Sequence, residues 1–119
     1  MSYTILHRDD IREGVGSYEF QGYLHGDSSV SFIWVDLPPG AGPKLHKHPY
    51  EEIFIVQEGR PLFTVGAETL EGQPGQIIVV PPETPHKFVN IGEGPLRGRV
   101  YQRHEAGKWV LVDSNEGFA

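Results

Sequence analysis

The pair His46-x-His48 is where metal-binding side chains crowd most closely in this 119-residue chain. Along an extended segment successive side chains point to opposite faces, so residues two apart share a face, with Cβ atoms roughly 6 to 7 Å apart. Both imidazoles can therefore reach one ion. Glu52 follows four residues after His48, at the head of the apolar run Ile53-Phe54-Ile55-Val56. A carboxylate that opens an apolar strand needs a partner, because an unpaired buried charge is costly. His86 opens another short run, with Phe88 and Asn90 on its own face. Three imidazoles and one carboxylate suit a single divalent first-row ion per chain, Fe, Mn, Ni, Zn or Cu, and an octahedral ion would keep positions for water or substrate.

Strands must deliver these groups, because helices have little room. Gly and Pro together make up 25 of 119 residues and are spread along the whole chain. Val, Ile, Thr, Phe, Tyr and Trp total 36 against 13 for Ala, Leu and Met, the bias of pleated, half-buried surfaces. Strands are expected at 17–24, 30–37, 53–57, 61–65, 68–70, 76–80, 86–91, 96–104 and 109–112, with the histidine segment as a further strand. Punctuation by Pro38-Pro39-Gly40, Gly66-Ala67 and Pro81-Pro82 fits a meander of short strands. The reading is an all-β fold, one closed sandwich or barrel over 1–119, with 1–13 and 113–119 peripheral.

Composition excludes several roles. A net charge of −6, from ten basic and sixteen acidic residues, opposes a nucleic-acid footprint. No apolar run exceeds four residues, against the roughly 18 of a membrane helix, so no membrane partner is expected. With no Cys there is no thiolate ligand and no disulfide. The first residues lack the basic start and apolar stretch of a secretory leader, which predicts a cytoplasmic protein. A small molecule is the expected ligand.

The spacing Gly40-x5-His46-x-His48-x3-Glu52-x6-Gly59 matches every fixed position of the first cupin motif (40–59). Gly75-x5-Pro81, then His86-x3-Asn90, meets the second (75–90). The chain resembles a small single-domain cupin, and the two motifs with the segment between them cover about half of it. One position departs: Glu83 stands where the family usually has Gly, so the turn there is expected to be built differently or to carry strain. The resemblance implies a double-stranded β-helix, or jelly-roll β-barrel, with the metal inside one end. It also implies His46, His48, Glu52 and His86 as metal ligands.

Parity extends the site. If Glu52 and His86 face inward, so do Phe54, Val56 and Phe88. On 30–37 either Phe32 and Trp34 or Ile33 and Val35 face in, and Trp34 is taken as a pocket candidate. On the last long strand Arg99, Tyr101 and Arg103 share one face and Val100, Gln102 and His104 the other, and Tyr101 and Arg103 are added to the pocket set. An inward Arg would favour a carboxylate or phosphate ligand. Asn90 is expected to cap a turn. Acid/base candidates are Glu83, Tyr101 and His104. The resemblance implies a dioxygenase, decarboxylase or isomerase, with a non-catalytic binding or sensing module as the alternative. The runs 53–56 and 77–80 are apolar on both faces, which predicts a homodimer that covers the outside of the barrel.

Overall fold

The computed structural model describes residues 3–102. Nine strands run through them: β1 (Arg12–Gly14), β2 (Ser17–Phe20), β3 (Ser31–Leu37), β4 (Glu52–Glu58), β5 (Pro61–Val65), β6 (Glu68–Glu71), β7 (Ile77–Val80), β8 (His86–Asn90) and β9 (Leu96–Gln102). The helical content among these residues is two 3-10 turns, Arg8–Ile11 and Gly22–Leu24. A six-stranded antiparallel sheet in the order β1-β2-β3-β9-β4-β7 faces a three-stranded sheet in the order β6-β5-β8. Together they make a jelly-roll β-barrel. Val35, Leu37, Phe54, Val56, Phe63, Ile78, Val80, Phe88, Leu96 and Val100 fill the space between the sheets.

Alternation sets which side chains face that core. On β3 the acid Asp36 must face water, where Arg8 and Arg97 pair with it at 3.3 Å each. Phe32 and Trp34 share its parity and go outward too, which sends Ile33, Val35 and Leu37 inward. Trp34 lies on the outer face with the Arg99 guanidinium 4.0 Å and the Arg8 guanidinium 5.3 Å from its ring centre. On β9 the same logic turns Arg97, Arg99 and Tyr101 outward and Leu96, Gly98, Val100 and Gln102 inward. Tyr101 rests against Phe32, with ring centres 5.6 Å apart.

Two local expectations are corrected. The histidine segment is not a regular strand: Pro43 and Pro49 bracket it and remove amide donors, and His46 keeps only an isolated bridge to His86. Arg12 and Glu13, expected to be peripheral, join Gly14 in edge strand β1 against β2. The strand expected at 109–112, and the end of the one expected at 96–104, lie outside the described residues.

Asn90 caps a turn as expected. Its Nδ2 donates to the Leu37 and Gly94 carbonyls at 3.0 and 2.9 Å, and its Oδ1 accepts from the Gly92 amide at 2.9 Å. Glu83 has a φ of 63°, the left-handed region where a side chain is strained. It holds that conformation while its amide donates to the His48 carbonyl at 2.8 Å. Glu83→Gly should raise stability by about 1 kcal/mol, through relief of that strain. Urea denaturation checks it, and an unchanged midpoint would show that the turn is relaxed with Glu in place.

Candidate metal centre

Segment 40–48 runs antiparallel to 83–90 as an irregular ribbon. Gly40 donates to the Asn90 carbonyl at 2.8 Å and Asn90 to that of Ala41 at 2.9 Å, while His46 and His86 exchange both backbone bonds at 3.0 and 2.8 Å. Close approach is required midway, because a Cβ on Gly42 would collide with the Phe88 carbonyl oxygen. The ribbon carries three of the four candidate ligands, and Glu52 reaches the same point from the start of β4.

His46, His48 and His86 are each 3% exposed and Glu52 is 5% exposed. One donor atom from each of the four lies within 4.8 Å of the others. The His48 and His86 Nε2 atoms sit 3.2 Å from Glu52 Oε1 and Oε2 respectively. All three rings are oriented by carbonyls two residues away. Nδ1 of His46 meets Lys44 O at 2.6 Å, that of His48 meets Tyr50 O at 2.9 Å, and that of His86 meets Thr84 O at 2.7 Å. A carbonyl only accepts, so each Nδ1 carries the hydrogen and each neutral ring turns its Nε2 lone pair to the centre. Lone pairs then face carboxylate oxygens at 3.2 Å, an arrangement that calls for a proton or a cation between them. His86 Nε2 is buried, and its close polar neighbour is the Glu52 carboxylate, to which it can bond only when protonated. The donor set fits a first-row divalent ion, with the carbonyls as supports behind the ligands.

The electrostatics agree with this geometry. Burial would raise the Glu52 carboxyl, but His48 and His86 outweigh it and hold it down at about 2. Burial lowers His46 below its ordinary value, against the bond to the Lys44 carbonyl that raises it. Burial also pulls His86 down, yet the neighbouring Glu52 carboxylate raises it above its ordinary value. That bond to a protonated His86 stabilises the metal-free protein fully below the unfolded value of 6.5 and is lost as pH rises through the higher folded value. A metal displaces the same proton. The thermal upshift on adding zinc should therefore be larger at pH 8 than at pH 6, and an equal or smaller upshift at pH 8 would argue against His86 as a ligand.

Two supports were not singled out by the sequence. Tyr50 stacks on the His48 ring at 4.1 Å between centres and 3° between planes. Its position two residues beyond a ligand was the available signal. Gln102, noted only as one of a face, donates Nε2 to Glu52 Oε1 at 3.5 Å.

A cavity of about 520 Å³ opens onto the cluster, lined at its floor by His46 and Glu52 and on its walls by Ile33, Val35, Leu37, Phe88 and Val100. Towards β1 and β2 it is lined by Glu13, Ser17 and Glu19. Of the expected pocket residues Phe88 lines it, while Phe54 and Val56, each 1% exposed, belong to the packed core. Trp34 and Tyr101 lie on the opposite face of the sheet and do not reach it, for the parity reason given above. Glu83 is exposed on its turn and is not among the lining residues. Arg103 and His104 lie outside the described residues.

A small jelly-roll barrel with an interior cluster of three histidines and a glutamate defines the class. Residues 33–100 match the family described as cupin domain, and the chain belongs to that family. An uncharacterized protein of Methanocaldococcus jannaschii is 47% identical over 62 residues, 51% of this chain and 50% of that one. Auxin-binding protein 4 of Zea mays is 32% identical over 93 residues, 69% of this chain and 45% of its own length. The chain thus spans about half the length of these relatives. In fold, a Cupin 2 conserved barrel domain protein from Salinispora arenicola CNS-205 superposes with a TM-score of 0.69 over 89% of this chain and 91% of that one, at 19% identity.

Proposed function

We propose that the protein is a metal-dependent enzyme acting on a small molecule in the barrel cavity. The observation that carries this reading is the convergence of three Nε2 lone pairs and a buried carboxylate at the floor of a cavity large enough for a substrate. A bound divalent ion would supply Lewis acidity towards a carbonyl or water and, if iron, manganese, copper or nickel, electron transfer as well. His46, His48, Glu52 and His86 would hold it. Val35, Leu37, Phe88 and Val100 keep the neighbouring walls apolar and exclude water there. Dioxygenase, decarboxylase and isomerase chemistry all fit this arrangement.

A second reading, a non-catalytic binding module using the same centre, is favoured by the maize relative, whose name describes binding. Elemental analysis of protein purified without an affinity tag, followed by dioxygen-uptake assays against diols, catechols and 2-oxo acids, separates the two. Near-stoichiometric redox-active metal with substrate-dependent uptake supports an oxygenase. Zinc without uptake moves the reading to isomerase chemistry or to binding.

The barrel is also proposed to pair with a second copy. Ile77 and Val79 on β7 are 65% and 56% exposed, beside half-buried Ile53 and Ile55 of β4. An apolar edge strand of this kind is normally covered. Light scattering at micromolar concentration should give a dimer mass, and a monomer mass would remove this element.

A further inference from the structure

Given the proposed metal-dependent reading, the side chains around the metal centre define a class of ligand. We infer that the cavity takes a monoanionic chelating molecule whose body, beyond the chelating head, is apolar and lies against Ile33, Phe88 and Val100.

Sheet order places one apolar surface beside the four candidate ligands. Val100 pairs with Phe54, two residues from Glu52, and Ile33 pairs with Val100. Ile33 and Val100 thus lie two strands and one strand from β4, about 10 and 5 Å along the sheet. Val35 and Leu37 continue the inward face of β3. Across the barrel Phe88 shares a face of β8 with His86, two residues before it. All five line the cavity. Ile33 is half-buried where the other four are buried, so it has the most surface to offer a ligand. The polar residues of the lining, Glu13, Ser17 and Glu19, stand farther out on β1 and β2, with Glu19 three strands from β4 and bonded by Gln21 at 2.7 Å. A body one ring long ends before them.

Charge limits the ligand to one anionic group. The chain has ten Lys and Arg residues, eight of them within the described region, and none of those eight lines the cavity. Arg97 and Arg99 share β9 with Val100 but are turned out by parity: Arg99 covers Trp34, and Arg97 bonds Asp36 and Glu58 at 3.3 and 3.0 Å on the outer surface. A divalent ion with the Glu52 carboxylate leaves one positive charge at the floor, which one anionic chelating head neutralises. A second anionic group on the body would leave water for a wall of aliphatic side chains and an aromatic ring, with no described cation to receive it. A hydrocarbon body gains from the same transfer. Sugar phosphates and dicarboxylates therefore fit this cavity poorly, and a short monoanion with a hydrocarbon body fits it well.

The test uses zinc-loaded protein and three probes that share one head: acetohydroxamate, benzohydroxamate and 3-carboxybenzohydroxamate. Calorimetric titration should show benzohydroxamate binding at least about tenfold more tightly than acetohydroxamate, because its ring leaves water for an apolar wall. The 3-carboxy probe should bind at least about tenfold more weakly than benzohydroxamate, because its second charge meets no cation. Ile33→Thr keeps a branched side chain on the strand and should cut the benzohydroxamate-to-acetohydroxamate ratio at least about threefold. Acetohydroxamate, too short to reach Ile33, reports that the centre is intact in that variant. Equal affinities for acetohydroxamate and benzohydroxamate overturn the inference, as does equal or tighter binding of the 3-carboxy probe or a ratio unchanged by Ile33→Thr. Zinc loading with no hydroxamate binding overturns it while leaving the metal centre standing. Failure to load zinc overturns the metal-dependent reading itself, and the inference with it.

Discussion

Replacing His46 and His48 together by Ala is expected to weaken divalent-metal binding by at least about 1,000-fold while the barrel stays folded. Groups behind metal ligands typically cost 10- to 100-fold each on mutation, and this change removes two ligands outright. Folding should survive because the bond from the His46 amide to the His86 carbonyl, and its reciprocal, belong to the backbone. Glu52 loses its His48 partner but keeps His86 beside it and Gln102 behind it, so the stability cost should be confined to about 1 to 3 kcal/mol. Elemental analysis and far-ultraviolet circular dichroism on the same sample check both halves. Retained stoichiometric metal would sink the ligand assignment, and loss of the strand spectrum would show that the two rings are structural.

Phe54→Ala is expected to be the most damaging single truncation in the core. Phe54 is 1% exposed, and its ring meets Phe88 and Phe63 edge-on at 4.8 and 5.1 Å between centres. It also packs over Gly98, where a Cβ would come within 2.9 Å of the ring. Such truncations remove transfer free energy and leave a cavity, for a cost of about 3 to 5 kcal/mol. A domain of this size has about 5 to 15 kcal/mol in total, so the variant should lose a large share of its stability. Chemical denaturation should show a lowered midpoint at an unchanged slope. A loss below about 1 kcal/mol would mean that neighbouring rings close the gap.

The cupin fold and the four-residue cluster were legible in the sequence because two motifs fix residue types at set intervals, and Gly, Pro and β-branched residues mark the strand ends and strands between them. Facing was less legible. Alternation gives two sets for each strand but not which set is inside, so neither the aromatic ring of Trp34 nor the polar group of Tyr101 decides its face. Asp36 and Arg97 held the answer: each shares parity with one of those rings, and a charge without an interior partner goes to water. Glu13 and Glu19 escaped notice because they lie on β1 and β2, outside both motifs, and reach the cavity only through sheet order. The histidine segment read as a strand because its alternation is real, but its flanking prolines leave it held by a bridge and ring-orienting carbonyls.

The hydrogen-bonded ribbon between 40–48 and 83–90 has a consequence for the order of assembly. His46 and His86 are far apart in sequence, so their meeting waits for closure of a long loop that contains β4 through β7. The contacts that complete that closure, the backbone pair of His46 with His86 and the apolar core, come from the chain itself. A metal that binds such a cradle would then be a late passenger. Chelators should leave the refolding rate nearly unchanged, whereas bound metal should slow unfolding, because its bonds form after the rate-limiting step.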